Sequence, residues 1–341
     1  LSAIDMRIDP PDRGRWLAPP LVDALGDRLQ KGEQSLLFLN RRGFAPLTLC
    51  RTCGHRIQCP NCTAWMVEHR LVHRLACHHC GHVMPPPRLC PECEDEDSLV
   101  ACGPGVERIA DEVAERFPEA RTAIVTSDTL WSPAKAAEFV DAVEGGLVDI
   151  IIGTQLVTKG YHFPNLTLVG VVDADLGLDG GDLRASERTF QQIAQVAGRA
   201  GRGVKPGEVL IQTRVPDAPV MAALVANDRE GFYAAEAAAR RQAGAPPYGR
   251  FAALVISSEE MEVARGVAQR LGEKAPVADG LAIYGPAPAP LAMLRGRHRF
   301  RLLLHAPRSF DLQGAIRDWV GRIDWPAKAR LAIDIDPYSF V

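Results

Sequence analysis

The sequence predicts an α/β body on a parallel sheet, interrupted by a cysteine-rich metal module and followed by a small α+β domain. Short apolar runs alternate with amphipathic helical stretches as far as Thr213, the pattern of strands and helices in a parallel sheet. Eight of the nine cysteines fall into four CxxC pairs: Cys50/Cys53, Cys59/Cys62, Cys77/Cys80 and Cys90/Cys93. From Pro216 the composition changes to an Ala-rich helix and then to a new set of strands and helices.

Taken in order, Leu21, Val22, Leu25 and Leu29 recur at helical spacing ahead of Ser35–Leu39, an apolar strand that ends in the polar loop Asn40-Arg41-Arg42-Gly43. Beyond the cysteines, Leu99–Cys102 reads as a strand leading to Gly103-Pro104-Gly105. Val106–Phe117 then reads as a helix with Val106, Ile109, Ala110, Val113 and Phe117 on one face. Thr122–Thr126, Ile150–Gly153, Leu166–Val172 and Val209–Thr213 are short buried strands, separated by helices at Pro133–Val143 and Ser186–Ala197. Met221–Gln242 reads as one helix, closed by Ala245-Pro246-Pro247. Strands Phe251–Ser257, Arg299–His305 and Leu331–Ile335 follow, with helices at Glu260–Leu271 and Phe310–Ile323 between them. The expected boundaries are a body in two pieces, 1–49 and 94–215, an insertion at 50–93, a helical connector at 216–247 and a C-terminal domain at 248–341.

With 341 residues, 47% hydrophobic and 24% charged, the chain has an ordinary globular composition and length for two or three domains. No apolar run reaches the ~20 residues of a membrane span. Asp5, Arg7, Asp9, Asp12, Arg13 and Arg15 stand where a signal peptide would need an apolar stretch, so a cytosolic setting is expected. Lys+Arg 39 against Asp+Glu 42 gives a net charge of −3, so any contact with nucleic acid must come from local basic sites.

Paired cysteines in a reducing compartment point to metal rather than disulfides. A CxxC turn sets two sulfurs on one side of a tight knuckle, and two facing knuckles complete a tetrahedral zinc site, so eight thiolates make two sites. His55, His69, His73, His78, His79 and His82 crowd the segment, but the cysteines suffice as ligands. The four pairs can be matched sequentially, interleaved or nested. A β-ribbon at Ala64–Val67 and Leu71–Leu75 between the two middle pairs favours joining those and leaving the outer pairs to each other.

Other motifs divide into those that fail and those that hold. Arg108 stands where a dinucleotide fingerprint after Gly103-Pro104-Gly105 needs its third glycine, and no Gly-x-x-x-x-Gly-Lys-Ser/Thr occurs. Asp173 and Asp175 at a strand end imitate a magnesium site, but without a P-loop that role is set aside. In Gln195-Val-Ala-Gly-Arg199-Ala-Gly-Arg202 the two arginines lie one helical turn apart and can face one anion, with Gly198 and Gly201 letting a second surface approach. Thr154, Gln155, Lys159 and Gly160 sit at the carboxyl end of a strand, where α/β folds place ligands. Arg295, Arg297, Arg299 and Arg301 alternate along a strand, as a phosphate track or as a solvated edge.

Phe38-Leu-Asn-Arg-Arg-Gly43, the CxxC spacings, Ile152-Gly-Thr-Gln-Leu-Val-Thr-Lys-Gly160, Ala185-Ser-Glu-Arg188, Gln195–Arg202 and Asp334-Ile-Asp336-Pro337 together resemble the PriA family of primosomal replication-restart helicases. The likeness runs over essentially the whole chain. It implies the rear half of an ATP-dependent 3′–5′ DNA helicase: a second RecA-like lobe with an inserted two-zinc module, then a C-terminal domain, with the P-loop lobe upstream of Leu1 and the isolated chain inactive. Cys59, Cys62, Cys77 and Cys80 would bind one Zn2+, and Cys50, Cys53, Cys90 and Cys93 the other. Arg199 and Arg202 would act on the γ-phosphate of ATP with Mg2+, and Gln195 and Gly160 would help bind the nucleotide. Arg41, Arg42, Thr154, Gln155 and Lys159 would hold DNA.

The resemblance further implies a monomeric, nucleoid-associated cytoplasmic protein that meets branched or forked DNA, single-stranded DNA, primosome proteins and single-stranded-DNA-binding protein. The acidic tail of that last partner would dock at Arg308 and Gln313, on a helix start capped by Ser309. Two positions depart from the family pattern: Thr126 replaces the first Asp of an Asp-x-Asp, and Tyr161 stands where His is common. A non-catalytic zinc-ribbon scaffold that binds nucleic acid or protein is the rival reading.

Overall fold

The apolar runs of the first part become strands buried on both faces. The computed structural model describes residues 1–39, 47–50, 52–53, 55–61, 64–69, 74–77, 80, 82–102, 105–126, 132–154, 163–175, 178, 184–201, 203 and 205–338. Its elements in chain order begin β1 (Ser2–Asp5), α1 (Pro19–Gln30), β2 (Gln34–Leu39), β3 (Leu47–Cys50), β4 (Val67–His69), β5 (Arg74–Ala76), β6 (Val83–Met84) and β7 (Leu99–Cys102). Next come α2 (Val106–Arg116), β8 (Thr122–Val125), α3 (Pro133–Glu144), β9 (Ile150–Gly153), β10 (Leu166–Asp173), α4 (Ala185–Ala197), β11 (Glu208–Thr213), α5 (Pro219–Ala226) and α6 (Arg229–Gln242). The chain ends with β12 (Gly249–Ser258), α7 (Met261–Glu273), β13 (Ala282–Leu294), β14 (Arg297–Pro307), α8 (Leu312–Val320) and β15 (Arg330–Ile335).

These elements divide into two units, Leu1–Pro46 with Cys102–Phe232, and Leu47–Ala101 with Tyr233–Val341. In the first, six parallel strands run in the order β1-β11-β10-β2-β9-β8. All six residues of β2 are buried, and they alternate between cores. Leu36 and Phe38 join Phe139, Phe190 and Ile193 on one face, while Leu37 and Leu39 join Leu21, Leu25, Ile109 and Val113 on the other. A parallel sheet covered on both faces requires such continuous apolar strands.

The second unit contains the cysteine segment together with an antiparallel sheet, β13-β14-β12-β15. One face of that sheet packs Leu254, Ile256, Leu302 and Leu304 against Val267 and Leu271 of α7 and Ile316 and Trp319 of α8. The buried Trp319 Nε1 donates to the Leu271 carbonyl at 3.0 Å.

Four expectations are corrected. The helix over Met221–Gln242 is broken: α5 ends at Asn227, which takes a left-handed φ of 53°, and the Asp228 carboxylate receives the Gly231 N–H at 2.8 Å to start α6. The first ribbon strand sits later, at β4, and pairs with β5 as Val67↔Ala76 and His69↔Arg74, while 71–73 of the expected second strand lie outside the described residues. Two edge strands, β1 and β13, were not expected from the sequence. Pro286, Pro288 and Pro290 disguise β13, which the edge position tolerates because a missing N–H there breaks no ladder on its open side.

The last correction concerns Gly201, between Arg199 and Arg202. Helix α4 ends at Ala197 with Gly198 as its cap, and Arg202 lies outside the described residues. Gly201 takes φ 69°, and a side chain there would collide with the backbone of Gly207, so its close approach is to this chain itself.

Candidate metal centre and basic surfaces

Every CxxC pair closes in the same way. The backbone N–H of the first cysteine donates to the carbonyl five residues on: Cys50 to His55 (2.8 Å), Cys59 to Ala64 (2.9 Å), Cys77 to His82 (2.8 Å) and Cys90 to Asp95 (3.0 Å). Within the turn, the N–H two residues on points at the first sulfur: Thr52 to Cys50 Sγ (3.4 Å), Asn61 to Cys59 Sγ (3.4 Å) and Glu92 to Cys90 Sγ (3.5 Å). Amides aimed at sulfur stabilise thiolate, the form that ligates metal.

The knuckles meet in nested fashion. Cys50, Cys53, Cys90 and Cys93 bring their sulfurs within 4.8 Å of one another, with Cys50 to Cys93 at 3.7 Å and Cys53 to Cys90 at 3.6 Å. Cys59, Cys77 and Cys80 form a second group, with Cys59 to Cys80 at 3.6 Å; Cys62 lies outside the described residues. All these thiols are free of disulfides. Burial, followed by the neighbouring thiols Cys80 and Cys77, pushes Cys59 up to about 12, so the inner thiols resist ionising together unless a cation neutralises them. In the outer group the Ser98 hydroxyl, 3.1 Å from Cys50 Sγ, holds that thiol down at about 5. The donor set is sulfur-only and knuckle-shaped, and it fits zinc.

Ser98 is fully buried, and sequence reasoning missed it because a lone serine outside the CxxC turns carries no motif. The inner group has little core of its own: Ile57, Ala64, Met66 and Leu75 with Cys59 and Cys77, against which Leu291 and Leu294 of β13 pack.

Among the other predicted residues, Arg199 is only 9% exposed and Gln195 is exposed on the last turn of α4. Thr154 is half-buried at the end of β9, its N–H donating to the Val125 carbonyl at 3.3 Å. Arg41, Arg42, Gln155, Lys159, Gly160 and Arg202 lie outside the described residues. Arg308 and Gln313 are exposed, but Ser309 does not cap α8: Asp311 does, accepting the Gly314 N–H at 2.9 Å. A carboxylate therefore already sits at that helix start. Asp175 accepts from Thr213 Oγ1 at 2.5 Å and from the Arg214 N–H at 2.7 Å. No helix among the described residues is long and apolar enough to cross a membrane.

Comparison with known proteins bears on both ends of the second unit. Residues 241–338 match the family model "Primosomal protein N C-terminal domain", and 59–85 match "PriA DNA helicase Cys-rich region (CRR) domain". Proteins named replication restart protein PriA match throughout. That of Rickettsia prowazekii is 43% identical over all of this chain and 52% of its own length, and that of Bacillus subtilis 36% over all of this chain and 43% of its own. That of Haemophilus influenzae is 37% identical over 94% of this chain and 44% of its own length. The chain thus spans about half the length of the curated relatives it matches.

Proposed function

We propose, for a chain that belongs to the PriA family and corresponds to the C-terminal part of its members, that it is the arginine-bearing half of an ATP-dependent 3′–5′ DNA helicase acting in replication restart. The observation that carries this reading is the combination of a doubly wound parallel sheet with nested cysteine knuckles in a chain similar to PriA throughout. In this reading the parallel-sheet unit is the second RecA-like lobe. Nucleotide binds between it and a P-loop lobe, since this sequence has no P-loop of its own. Arg199 and Arg202 neutralise charge on the γ-phosphate beside Mg2+, with Gln195 and Gly160 nearby. Such arginines contribute about 10³–10⁵ in rate in phosphoryl-transfer enzymes.

Thr154, Gln155 and Lys159, with Arg41 and Arg42, hold the DNA backbone while the lobes close and reopen, and closure becomes a step along a strand. Cys50, Cys53, Cys90 and Cys93 hold one zinc, and Cys59, Cys62, Cys77 and Cys80 the other; the metal's contribution is structural. Branched DNA, single-stranded-DNA-binding protein and primosome proteins are the partners, in the cytoplasm. Arg308 pairs with the carboxylate of an acidic tail and Gln313 hydrogen-bonds the tail's backbone, without the helix start, which Asp311 occupies.

The test is Arg199→Ala in the full-length enzyme. DNA-stimulated ATP hydrolysis should be abolished with DNA affinity little changed, and the 341-residue chain alone should show no turnover. Wild-type turnover by the variant, or robust turnover by the chain alone, overturns the reading. The absence of a P-loop in this sequence favours a second reading, a non-catalytic zinc scaffold, which predicts no gain in ATP-analogue binding when the upstream half is added.

A further inference from the structure

The face of the C-terminal sheet opposite its helices bears a groove of about 390 Å3. Arg295, Arg297, Arg299 and Arg301 line it beside Ser257, with Asp334 the one carboxylate in its wall. The row follows from strand alternation: Phe300, Leu302 and Leu304 of β14 turn to the helices, so Arg299 and Arg301 turn to the groove. Arg297 is braced there by the carbonyls of Ser257 (3.1 Å) and Lys328 (3.2 Å) and by Glu259 (3.2 Å). Burial lowers the pKa of Arg301, so its charge is partly stripped of water and gains from an incoming anion.

The tip of the β13–β14 hairpin is not left to itself. Arg295 (φ 52°) and Gly296 (φ 73°) form a two-residue turn between the paired Leu294 and Arg297. The Gly296 N–H donates to the Asn61 carbonyl at 2.8 Å. Asn61 is the same knuckle residue whose N–H points at Cys59 Sγ. Leu291 and Leu294, just before the turn, pack on the inner cysteine core. One residue of the inner knuckle therefore holds a ligating sulfur with its N–H and the arginine hairpin with its carbonyl.

We propose that this groove binds the phosphate backbone of a single nucleic-acid strand, and that the inner cysteine knuckle, through Asn61, holds the hairpin tip so that metal content and strand affinity are coupled. The proposal rests on the DNA-binding reading above and adds to it a location and a control. Charge supplies the affinity, because each arginine that neutralises a phosphate releases counterions. The clamp supplies position: without it the two-residue turn swings and Arg295 leaves the groove mouth, while Arg297 keeps its own braces.

The experiment uses the 341-residue chain and a fluorescein-labelled thymidine oligonucleotide, followed by anisotropy over a range of salt. Zinc content and amide exchange of the hairpin and of β12 are measured in parallel. Arg295→Ala with Arg299→Ala should weaken binding roughly tenfold and flatten the log–log salt slope by about 0.7 per lost phosphate contact, and the double Lys variant should restore most of both. Cys80→Ser should lose the inner metal, and Leu294→Ala should keep it. Both should speed hairpin exchange and weaken binding, with β12 still protected to show a folded sheet. Cys93→Ser should lose the outer metal and leave affinity unchanged.

An unchanged salt slope in the double alanine variant overturns the groove while leaving DNA binding elsewhere on the chain intact. Unaltered affinity in both Cys80→Ser and Leu294→Ala overturns the clamp. No binding by the wild type overturns the DNA reading for this chain, and the proposal with it.

Discussion

In the parallel-sheet unit, β2, β9 and β10 are buried almost throughout, and helices on both faces complete two separate cores around Phe38 and Leu37. In the cysteine segment the described strands are only two to four residues long, and the core around Met66 and Leu75 includes two of the thiols themselves. Apolar area holds the first together. The second has too little, and its knuckles are closed by backbone N–H to carbonyl bonds, with further amides that point at sulfur. The difference separates two kinds of cohesion in one chain: one that water drives and one that a metal must supply.

The largest effect that tests this contrast is metal removal. Structural zinc contributes about 10–16 kcal/mol of apparent binding energy in small zinc-finger peptides, and that energy is folding energy. A strong chelator should therefore release amide protection at Ile57, Met66 and Leu75 while Leu37, Ile151 and Val169 stay protected. Hydrogen exchange with and without chelator reads both at once. Loss of protection in both regions together would show that the sheet depends on the metal as well.

The converse test strikes the sheet. Ile151 is fully buried at the centre of β9, and Ile151→Ala removes its packing against the core that holds Phe38 and Phe139. A cost of about 2–5 kcal/mol is expected, read as a lower denaturant midpoint for the parallel-sheet unit. Zinc content by colorimetric assay should stay at the wild-type value. Metal loss in this variant would erase the distinction between the two regions.

How far the sequence disclosed each region follows the same physics. Strands buried on both faces are continuous apolar runs, so Ser35–Leu39, Ile150–Gly153 and Leu166–Val172 could be read directly. Propensity misled where one local residue decides the path, as at Asn227, or where edge position excuses prolines, as in β13. The CxxC pairs announced metal, but spacing left three matchings open, and only the meeting of the knuckles in space makes the arrangement nested. Ser98 beside Cys50 and Gly296 beside Asn61 left no trace in the sequence, because each is one hydrogen bond between distant positions.

The smallest effect sharpens the contrast by pH, at a pair outside both cores. Arg121, just before β8, donates to Asp149, just before β9, through its backbone N–H (2.8 Å), Nε (2.9 Å) and Nη2 (2.5 Å). The Arg121 side-chain hydrogen bonds hold the Asp149 carboxyl below its ordinary value. A carboxyl lowered in the folded state binds its proton more readily when unfolded, so the stabilisation is fully present above about pH 4 and is lost as the pH falls through the native value. Arg121 is 54% exposed, so solvent screens the pair, and Asp149→Asn should change the folding constant only roughly two- to fivefold at neutral pH. The deficit of the variant should hold steady from pH 7 to about pH 4 and shrink towards zero below that. Amide exchange of β8 and β9 in the two proteins measures it without the acid release of metal from the other unit. A deficit that persists undiminished in acid would mean that Asp149 works through the shape of its hydrogen bonds rather than through its charge.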